Sequence, residues 1–242
     1  MPIGVVINSI SIIAGGLFGG LFGHHLSEQM KRQLIIVFGV CSFAMAIPSI
    51  VLMENLSAVI FAVIFGTIIG VGLKLDELFV KMGRWMNGII QKVMPTQDHV
   101  LEAEAFDNEL LTILVLFCAS GTGLYGTLIA GIEGDHSLLI TKSILDFFTA
   151  AIFACNLGLV VSMIAIPQTI IFLSIFMLSH WIAPLMNPVM VNDFKACGGI
   201  LILAIAFRML DLKQTPTAEM IPAMVLIIPF SWFWQQFILP LF

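Results

Sequence analysis

The sequence predicts an all-α, polytopic transmembrane helical bundle, and two observations carry that prediction. Hydrophobic residues make up 60% of the 242 residues and charged residues only 10%. Long apolar runs recur from one end of the chain to the other, and many approach the roughly 20 residues that a helix needs to cross a bilayer. A soluble core cannot absorb this many apolar side chains, and only helices satisfy every backbone group within lipid over such runs.

Eight apolar runs are candidate spans. They cover residues 3–23, 34–53, 57–74, 110–131, 138–165, 168–186, 195–210 and 219–241. The first run has no positive charge ahead of it and is longer than a signal-peptide core, so it is expected to be retained. If the spans alternate in direction, eight of the ten lysines and arginines lie on one side: Lys31, Arg32, Lys74, Lys81, Arg84, Lys92, Arg208 and Lys213. The positive-inside rule makes that side cytoplasmic and places both termini outside the cytoplasm.

Residues 1–242 are expected to form a single integral membrane domain, with two cytoplasmic segments between the third and fourth spans. Residues 75–94 place apolar side chains on one arc of a helical wheel and charged ones on the remainder, which predicts an amphipathic helix in the membrane interface. Residues 95–109 carry five acidic side chains and predict a solvated linker. A vestibule that attracts cations is the alternative interpretation of this acidic segment.

Known catalytic and cofactor motifs are absent from the expected spans. The chain has no HExxH, GxSxG or GxxxxGK[ST] pattern, so neither an enzyme nor an ATP-driven pump is expected from this chain alone. Four cysteines lie in separate apolar segments without CxxC spacing and are interpreted as small hydrophobic residues, so no metal site is expected. No cofactor and no nucleic-acid partner are expected either.

The first span carries small residues at four-residue spacing. Gly15 and Gly19 belong to a stripe that Asn8 continues, and such stripes let two helices approach closely in lipid. Packing within the subunit or in a homo-oligomer would use this face equally well. Asn8 is the member of the stripe with hydrogen-bonding capacity to spare, and it is a candidate site residue or an interhelical contact.

The fourth span contains three glycines in six residues. Gly121, Gly123 and Gly126 match the GxGxxG dinucleotide pattern, but no strand precedes them, which excludes a cofactor site. Together with Ser120 and Thr122 they predict a helix that is broken or unwound. Unwound backbone at membrane depth is tolerated where it is buried or lines a wet cavity, and its carbonyls can bind a cation. Simple close packing of helices is the alternative.

The fifth span contains charged residues within an apolar run. Lys142 and Asp146 are four residues apart and so share one helical face, with Thr149 and Asn156 near the same stripe and Ser143 beside it. A charge inside the membrane costs a few kcal/mol, so such residues usually pair and usually serve a function. The sharper hypothesis makes Asp146 a cation or proton site with Lys142 as its charge-compensating partner. A structural ion pair is the alternative.

Two segments share a weak internal similarity. Residues 27–47 and 191–210 each combine a polar start containing lysine with an apolar helix, and they would cross the membrane in opposite directions. An inverted-topology repeat, typical of secondary transporters, is therefore a further hypothesis.

Four stretches of the chain resemble the YqgA-like family of bacterial inner-membrane proteins. They are VINSISIIAGGLFGGLFG, GTLIAGIEGDHSLLITKSILD, LGLVVSMIAIP and ACGGILILAIAFRMLDLK. The positions that carry the resemblance are Asn8, Gly15, Gly19, Gly134, Asp135, Lys142, Ser143, Asp146, Gly158, Gly198 and Gly199. The resemblance implies a multi-pass protein of the bacterial cytoplasmic (inner) membrane. The family is one of unknown function with a provisional label of sodium channel or pump, so the resemblance does not name a substrate.

The leading functional hypothesis is a channel or secondary transporter for a small cation, sodium or proton, or a small solute. Its polar path would follow the fourth and fifth spans. The rival hypothesis is a non-transporting membrane scaffold or sensor, in which Lys142 and Asp146 form a purely structural pair. In either case the lipid bilayer is the one partner that the composition requires.

Overall fold

A computed structural model describes residues 1–22, 27–93, 103–118, 120–132 and 134–241, and these ranges are almost entirely helical. The helices are α1 (Ile3–Phe22), α2 (Glu28–Val51), α3 (Leu56–Gly72), α4 (Leu75–Val93), α5 (Ala103–Cys118), α6 (Gly121–Ile132), α7 (Ser137–Leu157), α8 (Val160–Met163), α9 (Ala165–Ile182), α10 (Pro188–Met209) and α11 (Ala223–Phe233). A π-helical turn, Trp234–Ile238, extends α11. The described residues contain no strand, which confirms the all-α fold class.

The apolar surface of the bundle identifies an integral membrane protein. Six described helical spans are long and apolar enough to cross a bilayer, and a seventh is formed if α3 and the start of α4 count as one bent span. Large apolar side chains such as Ile10, Ile68, Ile144 and Val225 are exposed on the outward faces of these helices. Contiguous exposed apolar surface on this scale requires lipid rather than water as its solvent.

The fourth expected span, 110–131, differs from the prediction because it consists of two helices. Within the described residues, α5 ends at Cys118 and α6 begins at Gly121, so neither helix is itself long enough to count as a span. The interruption between the two helices precedes the glycines. Residues 121–126 form the first turns of α6, whereas the sequence predicted unwinding within them.

Glycines set the closest helix contacts. A Cβ atom on Gly19 would lie 1.8 Å from the Ala151 carbonyl oxygen, and one on Gly15 would lie 2.2 Å from that of Phe147. Since both distances are far below van der Waals contact, α1 and α7 touch backbone to backbone, as the glycine stripe predicted. Gly70 allows the same approach in α3, because a Cβ atom on Gly70 would lie 1.9 Å from the carbonyl oxygen of Glu219.

The contacts between helices give their relative directions. Successive positions of α1 meet successive positions of α7, from Gly4 against Leu139 to Gly19 against Ala151, so these two helices are parallel. In contrast, α2 and α10 are antiparallel, since Gly39 of α2 lies against Met209 at the end of α10, whereas Ala46, further along α2, lies against Gly199. These directions agree with the predicted alternation of spans. The antiparallel contact of α2 with α10 also matches the direction required by the inverted repeat, which itself stays a prediction.

Residues 75–94 were predicted to be an amphipathic helix, and α4 covers all but the last of them, which lies outside the described residues. It is bent by 61° from α3. Phe79 and Met82 pack against the core, while Trp85 is exposed. The Lys74 ammonium, 3.1 Å from the Glu77 carboxylate, lowers the pKa of Glu77. Placement of α4 at the cytoplasmic interface stays a prediction.

The acidic segment 95–109 divides between two regions of the chain. Residues 95–102 lie outside the described residues. Residues 103–109 form the first turns of α5, where Asp107 accepts hydrogen bonds from the Arg84 guanidinium and Phe106 is buried. This part is therefore a helical anchor for α4 rather than a free linker.

Candidate functional site

The charged residues of α7 form one buried ion pair. The Lys142 ammonium nitrogen lies 2.7 Å from Oδ1 and 2.6 Å from Oδ2 of Asp146. Only 4% of Lys142 and 2% of Asp146 are exposed. The four-residue spacing places both side chains on the face that α7 turns inward. Lys142 therefore points to its carboxylate partner instead of extending toward the membrane surface.

Asn8 of α1 completes the coordination of Asp146. Its Nδ2 donates to Oδ2 of Asp146 at 2.7 Å, and its own Oδ1 accepts a hydrogen bond from Nε2 of Gln168 in α9. Asn8 and Gln168 are fully buried. Because Gly15 and Gly19 bring α1 against α7, the amide of Asn8 can reach the carboxylate. The network therefore joins three helices around one ion pair.

The Lys142 ammonium also faces an aromatic ring. It lies 5.7 Å from the centroid of Phe117 in α5, a distance typical of a cation–π contact. Gly123 leaves room for the lysine, because a Cβ atom there would lie 3.0 Å from Cε of Lys142 and 2.4 Å from Cζ of Phe172. Gly126 instead faces Leu138 and Leu139, so its role is helix packing.

A small cavity adjoins the ion pair at the break between α5 and α6. Its volume is about 20 Å³, enough for one water molecule or a dehydrated monovalent cation. Ser120, which accepts a hydrogen bond from the backbone N–H of Gly123 and thereby caps α6, lines this cavity together with Thr149. The remaining lining residues are Ser42, Met45, Leu116, Lys142, Leu145, Asp146 and Ile202.

A much larger cavity lies one helical turn further along the same helices. This vestibule has a volume of about 720 Å³. It is lined by Arg32, Ile35, Ile36, Ala105, Asn108, Glu109, Thr112, Phe153, Arg208, Met209, Leu210, Asp211 and Gln214. Helices α2, α5, α7 and α10 line both cavities. Thr149 and Phe153 are four residues apart on α7, so about 6 Å of helix separates the two linings.

Three predicted site residues lie elsewhere or cannot be placed. The Ser143 hydroxyl donates to the Leu139 carbonyl of its own helix. Asn156 donates to the Glu109 carboxylate at 3.3 Å, on the vestibule side and ten residues from Asp146. Ten residues correspond to about 15 Å of helix, so Asn156 does not join the Asp146 network. The side chain of Thr122 lies outside the described part of the chain.

Two buried polar features were not predicted from the sequence: an extension of the Asp146 network and a separate buried carboxylate. Gln168 and Ser9 extend the network, and the signal was a lone polar side chain inside an apolar run. Asp193 forms a second buried carboxylate, 0% exposed, which accepts hydrogen bonds from Asn55 and Ser231. Because it also accepts from the backbone N–H of Glu54, it caps the start of α3 from a neighbouring helix. Its four donors leave little capacity for a cation.

Comparisons with known proteins find relatives that cover nearly the whole chain. A protein named "Uncharacterized protein YqgA" from Escherichia coli (strain K12) is 38% identical over 237 residues, which cover 97% of this chain and 98% of that protein. "Uncharacterized membrane protein YdfK" from Bacillus subtilis (strain 168) is 23% identical over 92% of this chain and 93% of its own length. No solved structure gives a significant match. Since residues 3–232 match the family described as "Protein of unknown function (DUF554)", the chain belongs to that family.

Proposed function

We propose that this chain is a membrane transport protein, a channel or secondary transporter, that carries a small cation, sodium or proton, with Asp146 as the cation site. The observation that carries the proposal is a fully buried ion pair that borders both a helix break and a cavity of about 20 Å³. Ionisable groups inside a membrane bundle commonly mark ion pathways. Broken helices commonly border the binding sites of secondary transporters.

Lys142 would keep the site electrically neutral when no cation is bound to Asp146. When no cation is bound, the ammonium at 2.6 Å neutralises Asp146. A bound cation would replace that ammonium, and Lys142 would move toward the face of Phe117. An empty site that remains neutral can change conformation without burying a lone carboxylate, which would be costly.

The vestibule supplies an approach to the site from one side. Its mouth includes the exposed Arg32 and Gln214, and its floor is formed by buried residues including Thr112 and Phe153. The positive-inside rule assigns this side to the cytoplasm of a bacterial inner membrane. Transport would then require the vestibule floor to open toward the small cavity beside Asp146, across about one turn of helix. The opening would lie along the polar faces of the fourth and fifth spans.

One observation favours the rival function, a scaffold or sensor with a structural pair. Asp146 already accepts hydrogen bonds from Lys142 and Asn8, so the network is satisfied without any ligand. A purely structural pair could be replaced by apolar residues of similar size without loss of function or stability. The two functions therefore predict different consequences for the same substitutions.

Flux measurements in proteoliposomes test the proposal. Sodium and proton movements are followed separately for the wild-type protein, for Asp146→Asn and for Ser143→Ala. Ser143 is a matched control because it is equally buried on α7 but bonds only its own helix. We expect cation flux in the wild type and in Ser143→Ala, and its loss in folded Asp146→Asn. Equal flux in all three, or none for either ion, would reject Asp146 as a cation site.

A further inference from the structure

Arg208 of α10 is a buried cation without a carboxylate partner among the described residues. Only 9% of it is exposed, and no described carboxylate oxygen lies within 4.0 Å of its guanidinium. Asp76 is close enough to interact electrostatically but not to form an ion pair. A buried charge is costly unless an opposite charge compensates it. Asp76, whose buried Oδ1 also has no hydrogen-bond partner among the described residues, compensates the guanidinium only from a distance. A bound anion would supply the direct contact that Arg208 lacks.

The hydrogen bonds of Arg208 do not provide that compensation. Its Nη1 donates to Thr215 and Thr217 and its Nη2 to Asn108, each at 3.3 Å and each to a neutral oxygen. Charge-assisted hydrogen bonds of arginine are usually 2.7–2.9 Å long. The buried Nε has no hydrogen-bond partner among the described residues. The N–H groups of the Arg208 guanidinium are thus held in place, but their hydrogen bonds are long and weak.

Arg208 also lines the vestibule of about 720 Å³, together with a second arginine, Arg32, at the exposed mouth. That volume is within the range of small-molecule sites, which combine an enclosed cavity with a few convergent polar groups. The planar guanidinium matches carboxylate and phosphate groups, and it is the buried positive charge among the described lining residues. The wall also carries two carboxylates, the half-buried Glu109 and the exposed Asp211. Thr112 and Gln214 add neutral polar atoms to this wall.

We infer that the vestibule binds a small solute through an oxyanion group, carboxylate or phosphate, held by Arg208. That the solute is also transported rests on the proposed function: the solute would enter with the cation at Asp146. Binding itself does not depend on transport. An equilibrium binding experiment can therefore succeed where flux through Asp146 fails, and the two failures are distinguishable.

The test uses the full-length protein in nanodiscs of neutral phosphatidylcholine. Binding of acetate and of inorganic phosphate is measured by calorimetry and by the rise in melting temperature, with chloride at equal ionic strength as reference. We expect a rise specific to an oxyanion in the wild type, and Arg208→Gln to weaken binding about ten- to a hundredfold. Arg84→Gln is the control, because Arg84 is exposed on α4 and pairs with Asp107 outside the vestibule lining.

A second variant keeps the inference testable if Arg208→Gln does not fold. Asn108→Asp places a carboxylate where the Asn108 side-chain oxygen now lies, 3.3 Å from Nη2 of Arg208. It should raise the melting temperature without added anion and abolish oxyanion binding. Three results would overturn the inference: no oxyanion effect in the wild type, the same effect in Asn108→Asp, or stabilisation through Arg208 only in nanodiscs containing anionic phosphatidylglycerol. The last result would assign the position to a lipid headgroup.

Discussion

Replacing Asp146 by leucine is expected to destabilise the protein by about 3–5 kcal/mol, because it leaves the Lys142 ammonium buried without its counter-ion. Lys142→Met alone should cost less, since Asn8 still donates to the carboxylate. The double variant Lys142→Met with Asp146→Leu should recover most of the loss. Thermal unfolding of all four proteins in one detergent, with fluorescence detection, measures these differences.

This set of variants also separates the two functional hypotheses. If the pair serves transport, the double variant will be folded and stable but inactive in flux. If the pair is purely structural, the double variant will be stable and will keep whatever activity the wild type has. Single variants that unfold at the wild-type temperature would contradict the buried ion pair itself.

Gly19→Ala is expected to have the second large effect, because its new Cβ atom would lie 1.8 Å from the Ala151 carbonyl oxygen. The atom on the other side is backbone, so α1 and α7 must separate. Overpacking of this kind costs about 1–3 kcal/mol, and often more where backbone must move. Separation of the helices would also draw Asn8 away from Asp146, so the substitution should reduce any activity that depends on this site.

Gly72→Ala is the matched control for that substitution. Gly72 is the last residue of α3, and a Cβ atom there would meet nothing within 4 Å. Because alanine favours helix, the control should be neutral or stabilising by up to about 1 kcal/mol. Melting temperatures in the same detergent make the comparison. A Gly19→Ala protein that melts with the wild type would show that α1 and α7 are not in backbone contact.

The sequence predicted the architecture well because the membrane leaves few alternatives. Apolar runs in lipid must be helices, and the four-residue spacing of Lys142 and Asp146 fixed their pairing before any tertiary contact was considered. Asn8 was identified from its place on the glycine stripe. The fourth span was harder, since hydropathy does not register the interruption that lies just before Gly121.

The position of a polar side chain along its helix, and the residues that it contacts, were less predictable than the helical face on which it lies. Asn156 lies near the stripe of Asp146 on a helical wheel, but a wheel does not represent the ten residues that separate them along α7. Gln168 and Asp193 were missed because their importance depends on which helices meet, and a single sequence does not specify that. Arg208 served only to orient the spans, whereas its burial and its place in the vestibule wall are tertiary properties.

The most direct test of a transport role is whether the cavity beside Asp146 opens to the vestibule. Thr149→Cys places a thiol in that cavity, and Thr112→Cys places one at the vestibule floor. Both proteins, in sealed membranes with the vestibule side accessible, are treated with a cationic, membrane-impermeant methanethiosulfonate, and the labelled residues are identified by mass spectrometry. A transporter predicts slower but definite labelling of Thr149→Cys that sodium reduces, or that low pH reduces more than it reduces labelling of Thr112→Cys, since protonation of the thiol slows both reactions. Labelling of Thr112→Cys alone would contradict transport through Asp146 and leave Lys142 and Asp146 as a structural pair.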